Sequence, residues 1–188
     1  MKMGTVLTFA FVVICFVGCS TSASKAFSRR FSDAHRLYWQ VWADSALVQF
    51  PDESEGIEMA RSIFVSFAEL EAIEMAYLLE YDPRLIVYTR EEGFGFSGPG
   101  ESVLSRNAKY RTIRDDAIQR VDDYVNSLSG VRIIDKWDLI SQSPAVKNAE
   151  ENLSASLSSI AEGIEQLKPM RRQQPSGGDV DTTHAPQR

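Results

Sequence analysis

The two cysteines of this 188-residue chain, Cys15 and Cys19, lie four residues apart near its start. A thiol can form a disulfide, bind a metal ion or carry a covalently attached lipid. Cys15 lies between Ile14 and Phe16 inside an apolar run, whereas Cys19 directly follows a small residue, Gly18. Of the two, only Cys19 has the small neighbours that a modifying enzyme needs in order to reach the thiol.

The segment around these cysteines resembles a targeting sequence. Lys2 is its one charge, residues 4 to 18 form an uncharged and mostly apolar run, and small residues fill positions 20 to 24. A short basic start, an apolar run of this length and then small residues are typical of a secretory signal. The run is short for a permanent membrane anchor, because a spanning helix needs about 20 apolar residues.

Residues 16 to 19, Phe-Val-Gly-Cys, resemble the lipobox of bacterial lipoproteins, in which an aliphatic residue and two small residues precede cysteine. The resemblance implies that the Cys19 thiol carries diacylglycerol and that a peptidase cuts before Cys19. Phe16 and Val17 depart from the usual leucine and small residue of that pattern. The alternative is ordinary secretion with cleavage after Ala23, which would remove both cysteines.

The resemblance also implies a location and an organisation. It implies a lipid-anchored protein of the bacterial cell envelope, and Ser20 after the cysteine resembles the signal for sorting to the outer membrane, facing the periplasm. A lipidated mature chain has no free thiol, so neither a disulfide nor a cysteine metal site is expected in it. The predicted organisation is a signal peptide (1–18), a lipidated linker (19–23), a helical domain (24–169) and a disordered tail (170–188).

Apolar spacing predicts four helices in the mature domain. They extend from about 24 to 50, from after 56 to 81, from 101 to 128 and from 144 to 167. Pro51 and Pro169 should end the first and the last, and Gly130 should follow the end of the third. Two short apolar runs, 84–89 and 131–140, fit either a strand or a helix. The fold class we expect is all-α, a bundle of four or more helices with a Gly-rich connector.

The charge is acidic overall, with 20 Lys and Arg against 26 Asp and Glu, a net charge of −6. This balance argues against nucleic acid as a partner, because binding phosphates requires a basic face. Residues 25 to 36 are the exception, with four basic residues and one acid. They either contact anionic head groups near the proposed lipid or form a solvated helix face.

The connector Gly-Phe-Gly-Phe-Ser-Gly at 93–98 has the letters of a dinucleotide-binding loop. Glu91 and Glu92 directly before it would repel a phosphate. We therefore expect a flexible connector in which Phe94 and Phe96 pack into the core. A loop that presents both phenylalanines to a partner is the alternative.

Glu101 is the one acid with a family resemblance. Glu101 and Ser102 resemble the Glu-Ser signature of lytic transglycosylases, which cleave cell-wall glycan with a single glutamic acid. The Gly-Leu-Met-Gln motif of that family is missing from 111–130, and Glu101 also suits the first turn of a helix as a stabilising charge. Histidine chemistry is not expected, because His184 lies in the tail and leaves only His35.

The function we expect is that of an envelope lipoprotein whose helical domain is a non-catalytic binding or accessory protein, such as an assembly, exclusion or immunity factor. Its expected partners are the membrane, through the lipid on Cys19, and another envelope protein. The alternative is a glycan-cleaving enzyme that uses Glu101. No cofactor is expected, and carboxylate pairs such as Glu71 with Glu74 are expected on solvated helix faces.

Overall fold

The computed structural model describes the backbone of residues 4–96 and 100–171. Within this part, side chains are described from residue 22 to residue 168, except at 101, 102, 128 and 131. In this part of the chain the fold is all-α, as predicted, with seven α-helices and one small two-stranded sheet. The elements are α1 (Gly4–Gln49), α2 (Ser54–Tyr81), β1 (Ile86–Thr89), β2 (Gly93–Phe96), α3 (Gly100–Ser105), α4 (Ala108–Val125), α5 (Leu128–Asp135), α6 (Trp137–Ser141) and α7 (Pro144–Arg171). The predicted tail beyond residue 171 lies outside the described residues.

Helices α1 and α2 form an antiparallel pair. Ser24, in the first half of α1, donates a hydrogen bond to Glu80 near the end of α2. Further along α1, Arg36 forms an ion pair with Glu69, which lies earlier in α2. A single turn of 3-10 helix at Pro51–Glu53 joins the two helices. Pro51 therefore ends α1 where the sequence predicted.

Helix α7 packs antiparallel on the other flank of α1. Its contacts with α1 are a hydrogen bond from Arg30 to Ser159 and a close approach of the Phe27 ring to Gly163. The α7 start at Pro144 agrees with the predicted start. Its end at Arg171 is two residues past Pro169, so Pro169 does not close the helix.

The buried side chains form two cores along the length of the bundle. The first core lies where α1, the end of α2, the hairpin and the end of α7 meet; it contains Phe31, Ala68, Ala72, Met75, Leu78, Leu79, Leu85, Ile86, Leu104, Ile160 and Ile164. The second core lies at the opposite end; it contains Trp42, Ala43, Ala46, Ile57, Ala60, Ile63, Tyr124, Ile133, Ile140 and Val146.

The predicted third helix (101–128) is wrong in its extent, because two helices, α3 and α4, replace it and α5 begins at its last residue. Asn107 interrupts it: its side-chain oxygen accepts hydrogen bonds from the backbone N–H groups of Lys109 and Tyr110 and caps α4. Ser127 caps α5 in the same way by accepting from the N–H of Gly130. Gly130 therefore lies inside a helix and does not end one.

The ambiguous run 84–89 forms a turn of 3-10 helix at Pro83–Leu85 followed by strand β1, whereas 131–140 is helical in α5 and α6. Strands β1 and β2 pair antiparallel, from Ile86 opposite Phe96 to Thr89 opposite Gly93. Gly93 closes the turn with a φ of 76°, which favours glycine. The expected flexible connector is therefore partly a strand, although Phe94 and Phe96 pack against the first core as expected.

Candidate functional site

The predicted lipid site, Cys19, falls within α1, and its side chain is outside the described residues. The nearest residue with a described long-range contact is Ser24, five positions later, which is only 1 % exposed. Its hydroxyl donates a hydrogen bond of 3.1 Å to Oε1 of Glu80. One turn further, the Ser28 hydroxyl donates to the carbonyl oxygen of Ala72 at 2.7 Å. Helix α1 is thus fixed to α2 very close to the proposed lipid position.

The end of the bundle around Ser24 has a surface of mixed chemistry, which we call the anchor end. It contains one exposed lysine, one exposed tyrosine, an exposed strand valine and an arginine paired with an aspartate: Lys25, Tyr81, Val87, Arg84 and Asp82. Lys168 of α7 reaches the same region and donates to the carbonyl oxygen of Ile86 at 2.9 Å.

The three tryptophans of the chain meet in the opposite half of the bundle, together with one phenylalanine. The Trp39 ring stacks on Phe64 at 4.2 Å between centroids, and Trp137 lies 5.1 Å from Trp42 and 5.4 Å from Phe64. Trp42 is fully buried, while the other three rings are half-buried. We call Trp39, Trp42, Phe64 and Trp137 the ring cluster.

The ring cluster was not predicted as a site. Trp39 and Trp42 fall in the first predicted helix (24–50), but Trp137 lies in the run 131–140, which fitted either a strand or a helix. The Trp42 Nε1–H is buried and has no hydrogen-bond partner within the described part of the chain. A buried donor that stays unpaired reduces stability by about 1–3 kcal/mol.

Two carboxyl groups on α2 have raised pKa values. Glu74 is buried, contrary to the expected solvated face, and burial raises its pKa above the usual value while a hydrogen bond from Tyr110 opposes the shift. Desolvation by surrounding protein atoms and repulsion from the Glu74 carboxylate raise the pKa of Glu71 to about 7. The Glu71 side chain is nevertheless exposed by surface area. Solvent therefore screens its effect on stability, and Glu74 is the energetically important member of the pair.

An open groove of about 440 Å³ lies between the hairpin turn and α7. Its lining is mostly polar: Arg90, Glu150, Glu151, Ser154, Ala155 and Ser158. At its edge, the hydroxyl groups of Tyr88 and Ser158 are 3.2 Å apart. The groove is open to solvent and lacks the mostly apolar lining that is usual for small-molecule sites.

Three other candidates from the sequence are Glu101, His35 and the glycine-rich connector. Glu101 lies in α3, and its side chain is outside the described residues. His35 packs against the Phe31 ring at 4.2 Å, its Nδ1 is 3.0 Å from the Phe31 carbonyl oxygen, and burial lowers its pKa. Gly93 and Gly95 lie in a hairpin strand and not in a turn that leads into a helix, so they do not form a phosphate-binding loop.

Over the residues whose side chains are described, no group of three metal-ligating side chains comes together, and no helix has an apolar stretch sufficient to cross a membrane. Comparison of the chain with protein-family models, with curated proteins and with solved structures finds no match.

Proposed function

We propose that this chain is a lipid-anchored protein of the bacterial cell envelope whose helical domain binds another envelope protein. The observation that supports the anchor is the Phe-Val-Gly-Cys sequence at the end of a signal-like apolar run. The observation that supports binding is the ring cluster, whose half-buried members reach the surface of the bundle.

The ring cluster has the composition of a protein-binding surface. Tryptophan dominates the binding energy of many interfaces, because a large rigid ring buries much area at little entropic cost. An exposed leucine on α6, Leu139 at 56 %, lies two residues from Trp137. Residues two apart on a helix face different sides, so Leu139 is an apolar neighbour of the ring cluster on α6 and not a member of it. The half-buried rings of Trp39, Phe64 and Trp137 are the apolar surface that favours a folded protein over a small polar ligand.

The charge near the ring cluster indicates the chemistry of the partner. Residues 44 to 58, which include the end of α1 and the start of α2, contain five acids and no basic residue. This segment adjoins the second core, to which Trp42 belongs. Glu53 and Glu58 of this segment are already paired with basic residues of the chain. The other three acids would attract a partner that presents basic residues beside an apolar patch, and such a partner would associate faster at low salt.

Site-specific photocrosslinking in intact cells tests the binding role. A photoreactive residue at Leu139 should give a discrete adduct, and the adduct should disappear when Trp137→Ala is added. The control position is Ile118 on α4, which has similar exposure, 49 %, but lies on a different helix. Equal adducts from both positions, or an adduct that persists with Trp137→Ala in a folded protein, would refute the assignment of this surface.

The glycan-cleaving alternative at Glu101 has its own test. Zymography on peptidoglycan should show no clearing by the wild-type protein if the domain acts by binding. Clearing by the wild type that is lost with Glu101→Gln would establish the enzyme instead. Matched unfolding curves for the two proteins would exclude a folding defect as the cause.

A further inference from the structure

The short distance between Cys19 and the folded bundle limits where the domain can lie, if Cys19 carries the proposed lipid. Five residues reach at most about 18 Å when extended and about 7.5 Å in a helix. The acyl chains hold Cys19 at the membrane surface, where each headgroup layer is about 5–8 Å thick. Because residues 20–23 belong to the continuous helix α1, Ser24 lies about 7.5 Å along the helix axis from Cys19. Its partner Glu80 is one hydrogen bond further away.

We propose that the anchor end of the bundle rests directly on the lipid headgroups, with α1 pointing away from the membrane. The occupant of this surface is thus the membrane itself, and the inference rests on the proposed lipid anchor. It goes beyond that anchor because a tethered domain could also lie on its side or turn freely on its linker.

The side chains at the anchor end suit a headgroup layer. Tyr81 is 60 % exposed and Val87 is 41 % exposed, and a tyrosine combines an apolar ring with a polar hydroxyl, as interfacial aromatic residues do. Lys25 is also exposed and can contact lipid phosphates. These three residues come from α1, α2 and β1, so the surface exists only in the folded bundle.

The acids at the anchor end already have partners within the protein. Glu80 accepts the hydrogen bond from Ser24. Asp82 binds the Arg84 guanidinium through both carboxylate oxygens, at 2.6 to 3.0 Å. The Arg84 guanidinium therefore compensates the charge of Asp82. The neutral Ser24 hydroxyl leaves the Glu80 charge in place, so the repulsion from lipid phosphates at this end comes from Glu80.

The charge at the opposite end of the bundle makes a sideways orientation on the membrane unfavourable. Val48, 84 % exposed, lies 24 residues beyond Ser24 in the same helix, which corresponds to about 36 Å. It lies within the segment 44–58 that contains five acids and no basic residue. Glu53 of this segment is paired with Arg132 and Lys136, and Glu58 is paired with Arg61. The other three acids, Asp44, Asp52 and Glu55, have no ion pair within the described part of the chain, and an anionic lipid surface repels them. At the anchor end Lys25 offsets the charge of Glu80, whereas at the opposite end three acids are unpaired among the described residues. This difference favours the upright orientation.

Fluorescence quenching in vesicles tests the orientation. The full chain is purified in lipidated form and reconstituted into phosphatidylethanolamine–phosphatidylglycerol vesicles, with one cysteine introduced as Tyr81→Cys, Val87→Cys or Val48→Cys. The introduced thiol is the only one free for a fluorophore, because Cys15 leaves with the signal and Cys19 is acylated. All three positions are exposed, so the substitutions should not disturb folding, and unfolding curves check this.

A lipid with a spin label on its headgroup should quench the fluorophore at positions 81 and 87 severalfold more strongly than at 48. Equal quenching at 81 and 48, or stronger quenching at 48, from a lipidated and vesicle-bound chain would overturn the orientation and leave the anchor intact. A chain that lacks the mass of the lipid and does not sediment with the vesicles would overturn both proposals.

Discussion

The contact between α2 and α5 at Gly56 allows a prediction with a definite sign. A Cβ at this position would lie 2.6 Å from the backbone oxygen of Ser129 and 2.9 Å from its carbonyl carbon. Helix propensity alone predicts that Gly56→Ala stabilises the protein by about 1 kcal/mol. The obstacle, however, is the backbone of another helix, which cannot move aside as a flexible side chain can.

Overpacking of this kind destabilises a protein by about 1–3 kcal/mol. Because the contact is with backbone, we expect the upper part of this range, and subtraction of the propensity gain leaves a net loss of about 1–2 kcal/mol. For a domain of this size the melting temperature should fall by about 2–8 °C. Thermal and urea unfolding followed by far-ultraviolet circular dichroism measure both quantities.

Gly95→Ala is the matched control. A Cβ at Gly95 in β2 meets no atom within 4 Å, and the backbone there is not in the left-handed region. Its free energy of unfolding should therefore stay within about 0.5 kcal/mol of the wild type or rise slightly. A Gly56→Ala protein that melts at or above the wild-type temperature would refute the close packing of α5 on α2.

Two further predictions concern a buried carboxyl group and a helix cap. Burial raises the pKa of Glu74 in the folded protein above its unfolded pKa near 4.5. The stability that the protonated Glu74 provides is therefore complete below pH 4.5 and is lost as the pH rises through the folded-state pKa. Glu74→Gln should therefore gain stability relative to the wild type between pH 5 and pH 8, measured by urea unfolding, and a difference that does not change with pH would contradict this. Asn107→Ala should lose about 1 kcal/mol because it removes the α4 cap, whereas Asn152→Ala in the interior of α7 should change stability by less than about 0.5 kcal/mol; equal losses would count against the break before α4.

The helices with an uninterrupted apolar stripe could be predicted from the sequence. The start of α7 was predicted at residue 144, a proline that suits the first turn of a helix, and the end of α1 was predicted from Pro51, because proline restricts the backbone locally. The break at Asn107 was missed because apolar spacing continues across it. Asparagine is favoured as a helix N-cap, so its position between two apolar segments was a usable signal.

Features that depend on packing between segments far apart in the sequence could not be predicted from apolar spacing or from single residues. The burial of Glu74 requires the side of α2 to be covered, and its Tyr110 partner comes from α4. The ring cluster requires Trp137 to reach α1 from a helix almost 100 residues later. The strand β1 was left open because short apolar runs fit a strand as well as a buried helix.

The proposed function and the proposed orientation both depend on the lipid on Cys19. The most direct measurement is the intact mass of the membrane-extracted protein, with palmitate labelling of the wild type and of Cys19→Ser. We predict a wild-type chain that begins at Cys19, carries the mass of diacylglycerol and incorporates palmitate, and a Cys19→Ser chain that carries no label. A wild-type chain that begins at Ser24 without lipid, or label that persists in Cys19→Ser, would contradict the claim.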